Sequence, residues 1–418
     1  MEMVDVFTAG GLPSVTYHVR DNLGLERKLT QRLKVGGKVI SMTGPTKIGK
    51  TVLWKKVIPE DKRVFVPGGN IREEIDVWNH ILSELGYHSS WTEEQSNEEE
   101  TKKGDSVGAG VQGTVLGVIK LKTDYKHTHT KGEKQSAKTA KSFSVSPIQT
   151  AINLLVENDL VLVIDDFHYI DREIQTRVIR AIKEPITTGL RVLICAVPHR
   201  DHDALKAERD MAGRGFQIPV APWESIDLKE IAEKGFNALN LTCSPEIIDT
   251  FVQESYKSPH LMQEFCLTLC FENSIEEEQQ NPTQLQAPSN YDAFFEEIVN
   301  SSTSKEIYEK LLEGPNNRDR KTRYFKNGSE GDIYTAVMHA LADLLDSSAI
   351  SPDVIKRKLQ EILEPSSVPN INSIKTVLQK MSDIARDTVD GEPPVDYQDN
   401  LLHVVDPFFS FYLKWCEK

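Results

Sequence analysis

Cysteine is scarce and shows no pairing pattern: Cys195, Cys243, Cys266, Cys270 and Cys416 are five among 418 residues, an odd number at irregular spacing. That fits a reducing compartment better than a disulfide framework. Cys266 and Cys270 stand one helical turn apart, but no further His or Cys pair completes a metal site, so they read as core thiols. Long apolar runs are also missing, and no stretch reaches the length that spans a bilayer. The acidic opening Met1-Glu2-Met3-Val4-Asp5 lacks the basic and apolar regions of a signal peptide. The expectation is a cytoplasmic protein without membrane contact. Positive charge is in deficit, with 49 Lys and Arg against 63 Asp and Glu and a formal net charge of −14. A chain of that sign does not coat nucleic acid over its whole surface, so any such contact is regional. With 39% hydrophobic and 27% charged residues the composition is that of an ordinary soluble protein, and 418 residues suggest two or three domains rather than one core.

What is present begins with Gly44-Pro45-Thr46-Lys47-Ile48-Gly49-Lys50-Thr51, which fits the G-x-x-x-x-G-K-[ST] phosphate-binding loop at every fixed position. Such a loop works between a buried strand and a helix whose N-terminus points at the phosphates. Lys38 to Thr43 is a short β-branched apolar run, and Thr51 to Val57 continues as a helix until Pro59 stops it. The loop amides then form an anion nest, Lys50 reaches the β- and γ-phosphates, and the Thr51 hydroxyl ligates Mg²⁺. ATP and Mg²⁺ are therefore the expected cofactors. The apolar run Leu160-Val161-Leu162-Val163-Ile164 ends in Asp165-Asp166. Asp165 is the candidate Mg²⁺ holder and Asp166 stands where a general base polarises the attacking water. The place of Asp166 is usually taken by Glu in active hydrolases of this class, and the shorter side chain suggests slow turnover. The alternative is that the two acids only cap the following turn.

Further strands are expected at Arg63–Pro67, Leu190–Val197 and Phe216–Val220, with helices at Ile71–Leu85, Pro147–Asn158, Arg172–Lys183 and from Asp201 to about Met211. Five apolar strands separated by helices give a parallel sheet covered on both faces, with one more strand between the phosphate-loop strand and the acidic strand. Upstream, Val15 to Arg20 reads either as an edge strand or, through Tyr17 to Arg20, as part of an adenine pocket, and a helical pattern then runs through Leu25, Leu29 and Leu33 to Gly36-Gly37. Residues 90–146 form an insertion, with Glu98 to Glu100 in an acidic run, Gly-rich and Val-rich sequence to Gly117, and then a Lys-rich tract from Lys120 to Lys141. Val111, Val115, Ile119 and Leu121 suggest an exposed hairpin. The lysines either meet phosphates of DNA or RNA or form a solvated charged loop, and His127 and His129 have no partner at metal-site spacing.

In this order the motifs resemble the AAA+ and STAND group of P-loop ATPases, in particular the branch joining origin-recognition-type and archaeal-ATPase proteins. The resemblance implies an α/β P-loop NTPase core at 1–225, a helical lid at 226–274, a polar linker at 275–290 and a winged-helix-like domain at 291–418. It puts a sensor residue at His199 or Arg200, and an arginine finger at Arg209 or Arg214 that reaches a neighbouring subunit's nucleotide. Ser258-Pro259-His260 resembles the lid element that closes on adenine and phosphates, which makes Pro259 a nucleotide-contact candidate beside Tyr17 and Arg20. The ending Leu401 to Trp415, with Asp406-Pro407-Phe408 and Phe411-Tyr412, closely resembles the D-P-F-x-x-F-Y close of archaeal-ATPase proteins. There Asp406 and the aromatics read as core, and the helix with Lys375, Lys380 and Arg386 takes the place of a recognition helix. The implied function is an ATP-binding and ATP-hydrolysing switch or small oligomeric motor that assembles with itself on ATP and serves a separate effector, in defence, transposition or another DNA transaction. The competing readings are a nucleic-acid-binding adaptor that holds ATP with little turnover, contacting DNA through the Lys-rich insertion or the winged helix, and a scaffold that uses nucleotide only to fold.

Overall fold

The computed structural model describes residues 1–90, 118–120, 146–197, 213–300, 304–315, 320–345, 347, 349–389 and 392–416. Arg209, the sensor candidates His199 and Arg200, the expected helix at 201–211 and nearly all of the Lys-rich insertion lie outside them.

A five-stranded parallel sheet carries the N-terminal half. Its strands are β1 (Val39–Thr43), β2 (Arg63–Pro67), β5 (Val161–Asp165), β6 (Arg191–Ala196) and β7 (Gly215–Pro219), in the order β2-β5-β6-β1-β7. The chain order also includes β3 (His88–Ser90) and β4 (Val118–Lys120), which pair antiparallel; of the positions expected to form the insertion's hairpin, Val111, Val115 and Leu121 lie outside the described residues and only Ile119 is within them. β6 lies between β5 and β1, as expected of the extra strand. Every residue of β1 and of β5 is buried, which is why these strands read as continuous apolar runs rather than alternating ones. β2 pairs with β5 from Arg63 opposite Val161 to Pro67 opposite Asp165.

The chain divides into two compact units. One comprises 31–41 and 58–217. Its core joins the inner faces of β2, β5 and β6 to the helices Glu74–Glu84, Pro147–Glu157 and Arg172–Lys183, and Trp78, Ile81, Leu155, Val178 and Ile182 are each fully buried there. In Arg172–Lys183 the buried positions Ile174, Val178, Ile179 and Ile182 recur at helical spacing. Full burial of an aliphatic side chain of this kind contributes about 1.5–3 kcal/mol.

The other unit comprises 1–30, 42–57 and 218–418. Helices Ser225–Ala238, Pro245–Glu254 and Pro259–Glu272 follow the sheet. The polar segment after them is not a bare connection: residues 283–284 pair with 241–242, and Gln279 N–H donates to the Leu239 carbonyl at 3.0 Å. Farther on, helices Ile333–Ala342, Pro352–Ile362 and Ile371–Thr388 join a small sheet in which Leu401–Val404 lies between Ala349–Ile350 and Val395–Gln398. This helix, strand, helix, helix, hairpin order is the winged-helix arrangement. Asp332, Ser351 and Asn370 cap the three helices through their side chains. Asp399 and Asn400, with φ of 52° and 62°, form the two-residue turn of the wing. The closing helix Pro407–Trp415 buries Phe409, Phe411 and Trp415, with Phe411 5.2 Å from Phe265 between ring centres and Trp415 4.7 Å from Phe295. Glu254, buried, accepts from Lys414 at 2.6 Å and from the Trp415 indole at 3.0 Å. Cys266 and Cys270 are buried free thiols, and burial raises the pKa of both.

Candidate nucleotide-binding site

The loop Gly44–Gly49 connects the end of β1 to the helix Lys50–Val57, so the first free amides of that helix and those of the loop are close together in sequence. Gly44 and Ile48 are buried, Pro45 and Thr46 half-buried, and Lys47 and Thr51 exposed. Gly49 has φ of 91°, and a Cβ placed on it meets nothing within 4 Å, so open space lies beside the turn where the backbone passes into the helix. Lys50 is 8% exposed, and its ammonium donates to the carbonyls of Gly44 at 2.8 Å and Pro45 at 2.7 Å. An ammonium has three donors, so the loop's own carbonyls hold Lys50 as a compact cation at the loop. A polyanion fits these features: helix amides, an open glycine turn and a buried lysine.

Two residues outside the motif hold the loop. Trp223 is 9% exposed, and its indole Nε1 donates to the Ile48 carbonyl at 2.9 Å. The Arg20 guanidinium stacks on Trp223, 4.7 Å from the ring centre, and donates to the Ala221 carbonyl at 2.6 Å. Arg20 is thus buried against the chain that follows the sheet. Neither contact is announced by the sequence; a Trp four residues past the end of β7 is the signal that points to them.

The segment 15–20 contains no strand. Its side chains take other partners instead: the Tyr17 hydroxyl donates to Glu26 at 2.6 Å, and His18 meets Asp227 at 3.3 Å and Lys234 at 3.0 Å. Burial and the Glu26 carboxylate push the Tyr17 phenol well above its ordinary pKa. Pro259 is buried at the first turn of its helix, behind the Ser258 cap. Beside it the His260 ring meets Phe408 edge-on at 4.7 Å, and burial followed by the nearby Lys47 lowers its pKa to about 4.

In the other unit, Asp165 is 5% exposed and its Oδ1 accepts the Asp166 N–H at 3.0 Å. Asp166 itself is exposed and left-handed, with φ of 53°. Asp tolerates that region better than most residues because its short side chain bonds locally. Directly behind the acids is Gly68, the residue after β2. A Cβ on Gly68 would lie 2.3 Å from the Asp166 carbonyl and 2.9 Å from that of Asp165. The position therefore accepts only glycine without displacing the acid pair, a requirement that the Gly68-Gly69 pair after a strand hinted at. Arg214 is half-buried and donates to the Lys183 carbonyl at 3.3 Å.

The ending differs most from its sequence reading. Asp406, read as core, takes the Lys47 ammonium on both carboxylate oxygens, at 2.9 and 2.8 Å.

No protein-family model matches the sequence, and no curated protein matches it. Solved structures do. The Walker-type ATPase PABY2304 of Pyrococcus abyssi aligns over 98% of this chain and 99% of its own with a TM-score of 0.54 at 14% identity. The Aeropyrum pernix ORC2 protein aligns over 97% and 96% with a TM-score of 0.47 at 14% identity, and Cdc6p of Pyrobaculum aerophilum over 99% and 97% with a TM-score of 0.41 at 13%. The first likeness shows a fold shared over nearly the full length of both chains, and in this chain that fold is an α/β P-loop NTPase-type core followed by a winged-helix-like C-terminal part.

Proposed function

We propose that this protein is an ATP-binding and ATP-hydrolysing regulatory switch that works as a small homo-oligomer on a separate effector or partner. The observation that carries this reading is the loop itself, with Lys50 buried on the carbonyls of Gly44 and Pro45 at the head of the helix Lys50–Val57. The shared fold with a protein described as a Walker-type ATPase supports it. In this reading the Lys50 ammonium and the backbone N–H groups from Gly44 to Thr51, Pro45 excepted, bind the phosphates, and Thr51 and Asp165 hold Mg²⁺. The metal, when bound, neutralises charge on the phosphates. Asp166 orients and polarises the attacking water, and its short side chain makes turnover slow without a partner. Tyr17, Arg20 and Pro259 belong to the nucleotide's surroundings, with Arg20 acting through Trp223. Arg214 or Arg209 supplies the arginine finger to a neighbouring copy. The setting is the cytoplasm, in a defence, transposition or other DNA-transaction system.

The test is ATP turnover across a range of protein concentrations, with and without duplex DNA. A rate per subunit that climbs with concentration supports a shared site, and Arg214→Ala together with Arg209→Ala should then abolish the climb. A rate that stays flat at every concentration argues against the oligomeric part of the reading.

A second reading, nucleic-acid binding with little turnover, is favoured by one observation. A cleft of about 580 Å³ at the start of the helix Ile371–Thr388 is lined by Arg320, Arg323, Tyr334, Asn370, Ser373 and Lys380; Arg320 is paired with Asp332 and Arg323 donates to the Ser367 carbonyl, which leaves Lys380 as the lining cation that carries the reading. Arg386, on the same helix, engages the buried Asp396 at 3.0 Å. Duplex binding that weakens steeply with salt, and weakens further with Lys380→Ala, would favour this reading.

A further inference from the structure

Lys47 is an unusual occupant of its position. Its φ of 56° lies in the left-handed region that glycine enters freely and a long side chain does not. Contacts hold it there. Besides the paired bonds to Asp406, its ammonium lies 4.3 Å from the centre of the Phe408 ring, a cation over an aromatic face. Asp406 meanwhile caps the closing helix, accepting the Phe408 N–H at 2.8 Å. The rest of that helix is fixed in the core by Phe409, Phe411 and Trp415, so the Lys47 contact bears on its first turn alone. His260, packed on Phe408, adds no charge to the pair near pH 7, because burial followed by the nearby Lys47 lowers its pKa to about 4.

We propose that Asp406 is a positioning residue for the phosphate loop: it holds Lys47 away from the nucleotide, and a bound triphosphate releases it, so the first turn of the C-terminal helix reports the state of the loop. The inference rests on reading the loop as a nucleotide site. A triphosphate at the loop places negative charge near Asp406 and competes with it for the same ammonium. Binding and release are then linked: whatever factor nucleotide takes from the Lys47 to Asp406 contact, removing Asp406's charge returns to nucleotide affinity. Lys47 and Asp406 side chains are 35% and 19% exposed, so water screens the pair and the factor is modest. We expect three- to tenfold.

The experiment compares ATP affinity, by titration calorimetry, for the full-length protein and for Asp406→Asn, alongside hydrogen exchange of the backbone amides of Phe408 and Phe409. Asn is an equally good cap, so the variant retains the helix start and loses only the charge. The expected result is ATP bound three- to tenfold more tightly by Asp406→Asn, and faster exchange at Phe408 and Phe409 when the wild type binds ATP. Equal or weaker affinity in the variant, or exchange indifferent to bound ATP, overturns the proposal. Failure of the wild type to bind ATP would instead remove the nucleotide reading. The contact is then judged without nucleotide: Lys47→Gly, which suits the left-handed backbone, should speed exchange at Phe408, and unchanged exchange would show that the pair positions nothing.

Discussion

The Trp223 indole donates to the Ile48 carbonyl at 2.9 Å, joining the chain after the sheet to the middle of the phosphate loop. Both groups are buried, so breaking the bond leaves a carbonyl without a partner inside the protein. Trp223→Phe should cost about 1–3 kcal/mol of stability and weaken ATP binding several-fold, measured by thermal unfolding and titration of the same sample. It also removes the surface on which Arg20 stacks. A variant as stable as the wild type, with unchanged affinity, would show that the loop holds its shape unaided.

Gly68→Ala forces a Cβ to within 2.3 Å of the Asp166 carbonyl. The neighbour is backbone, not the end of a flexible side chain, so either β2 or the acid end of β5 must shift. A loss of about 1–3 kcal/mol follows from such overpacking. Because the shift bears on the acids and not on the loop, turnover should fall by a larger factor than ATP affinity does. Equal losses in both would indicate general unfolding.

Asp166→Asn preserves size and suits the left-handed backbone at φ of 53°, so the variant should fold as the wild type does. ATP binding should persist while single-turnover hydrolysis falls, by a factor of about 10² or more if Asp166 acts as the base. Hydrolysis at the wild-type rate would take Asp166 out of the mechanism.

His260 gives the fold a pH dependence of known sign. Its pKa is held down to about 4 in the folded protein against an ordinary 6.5, so the unfolded chain takes up the proton first. Its contribution is complete above pH 6.5 and is lost as pH falls from there toward 4. The ring is only partly buried, which limits the loss to about 1–2 kcal/mol. His260→Gln should flatten that part of the stability profile, read as the melting temperature at pH 7 and pH 5. An equal drop in both proteins would assign the dependence to other groups.

Much of the architecture was legible because its causes are local. β1, β2, β5 and β6 coincide with β-branched apolar runs bounded by Gly, Pro and charged residues, and the helices of the winged domain start at Asp332, Ser351 and Asn370, whose side chains bond the first amides. Expected and observed ends agree closely at Arg63–Pro67 and Arg172–Lys183. The illegible parts are contacts between distant positions. Nothing near Lys47 in sequence points to Asp406, 359 residues on, nor does Ile48 announce Trp223. At Val15 to Arg20 the alternation of side chains suggested a strand, but Tyr17, His18 and Arg20 each found polar partners in neighbouring segments, and these override the local preference.

In the proposed function the loop from Gly44 to Thr51 binds a nucleoside triphosphate through Lys50. Equilibrium titration of wild type and Lys50→Ala with Mg²⁺ and ATP tests it most directly, with the melting temperature of both proteins taken first without nucleotide. The expected result is saturable binding by the wild type and a loss of about tenfold or more in Lys50→Ala with its fold intact. Equal affinity in the two folded proteins, or no binding by the wild type, would contradict it.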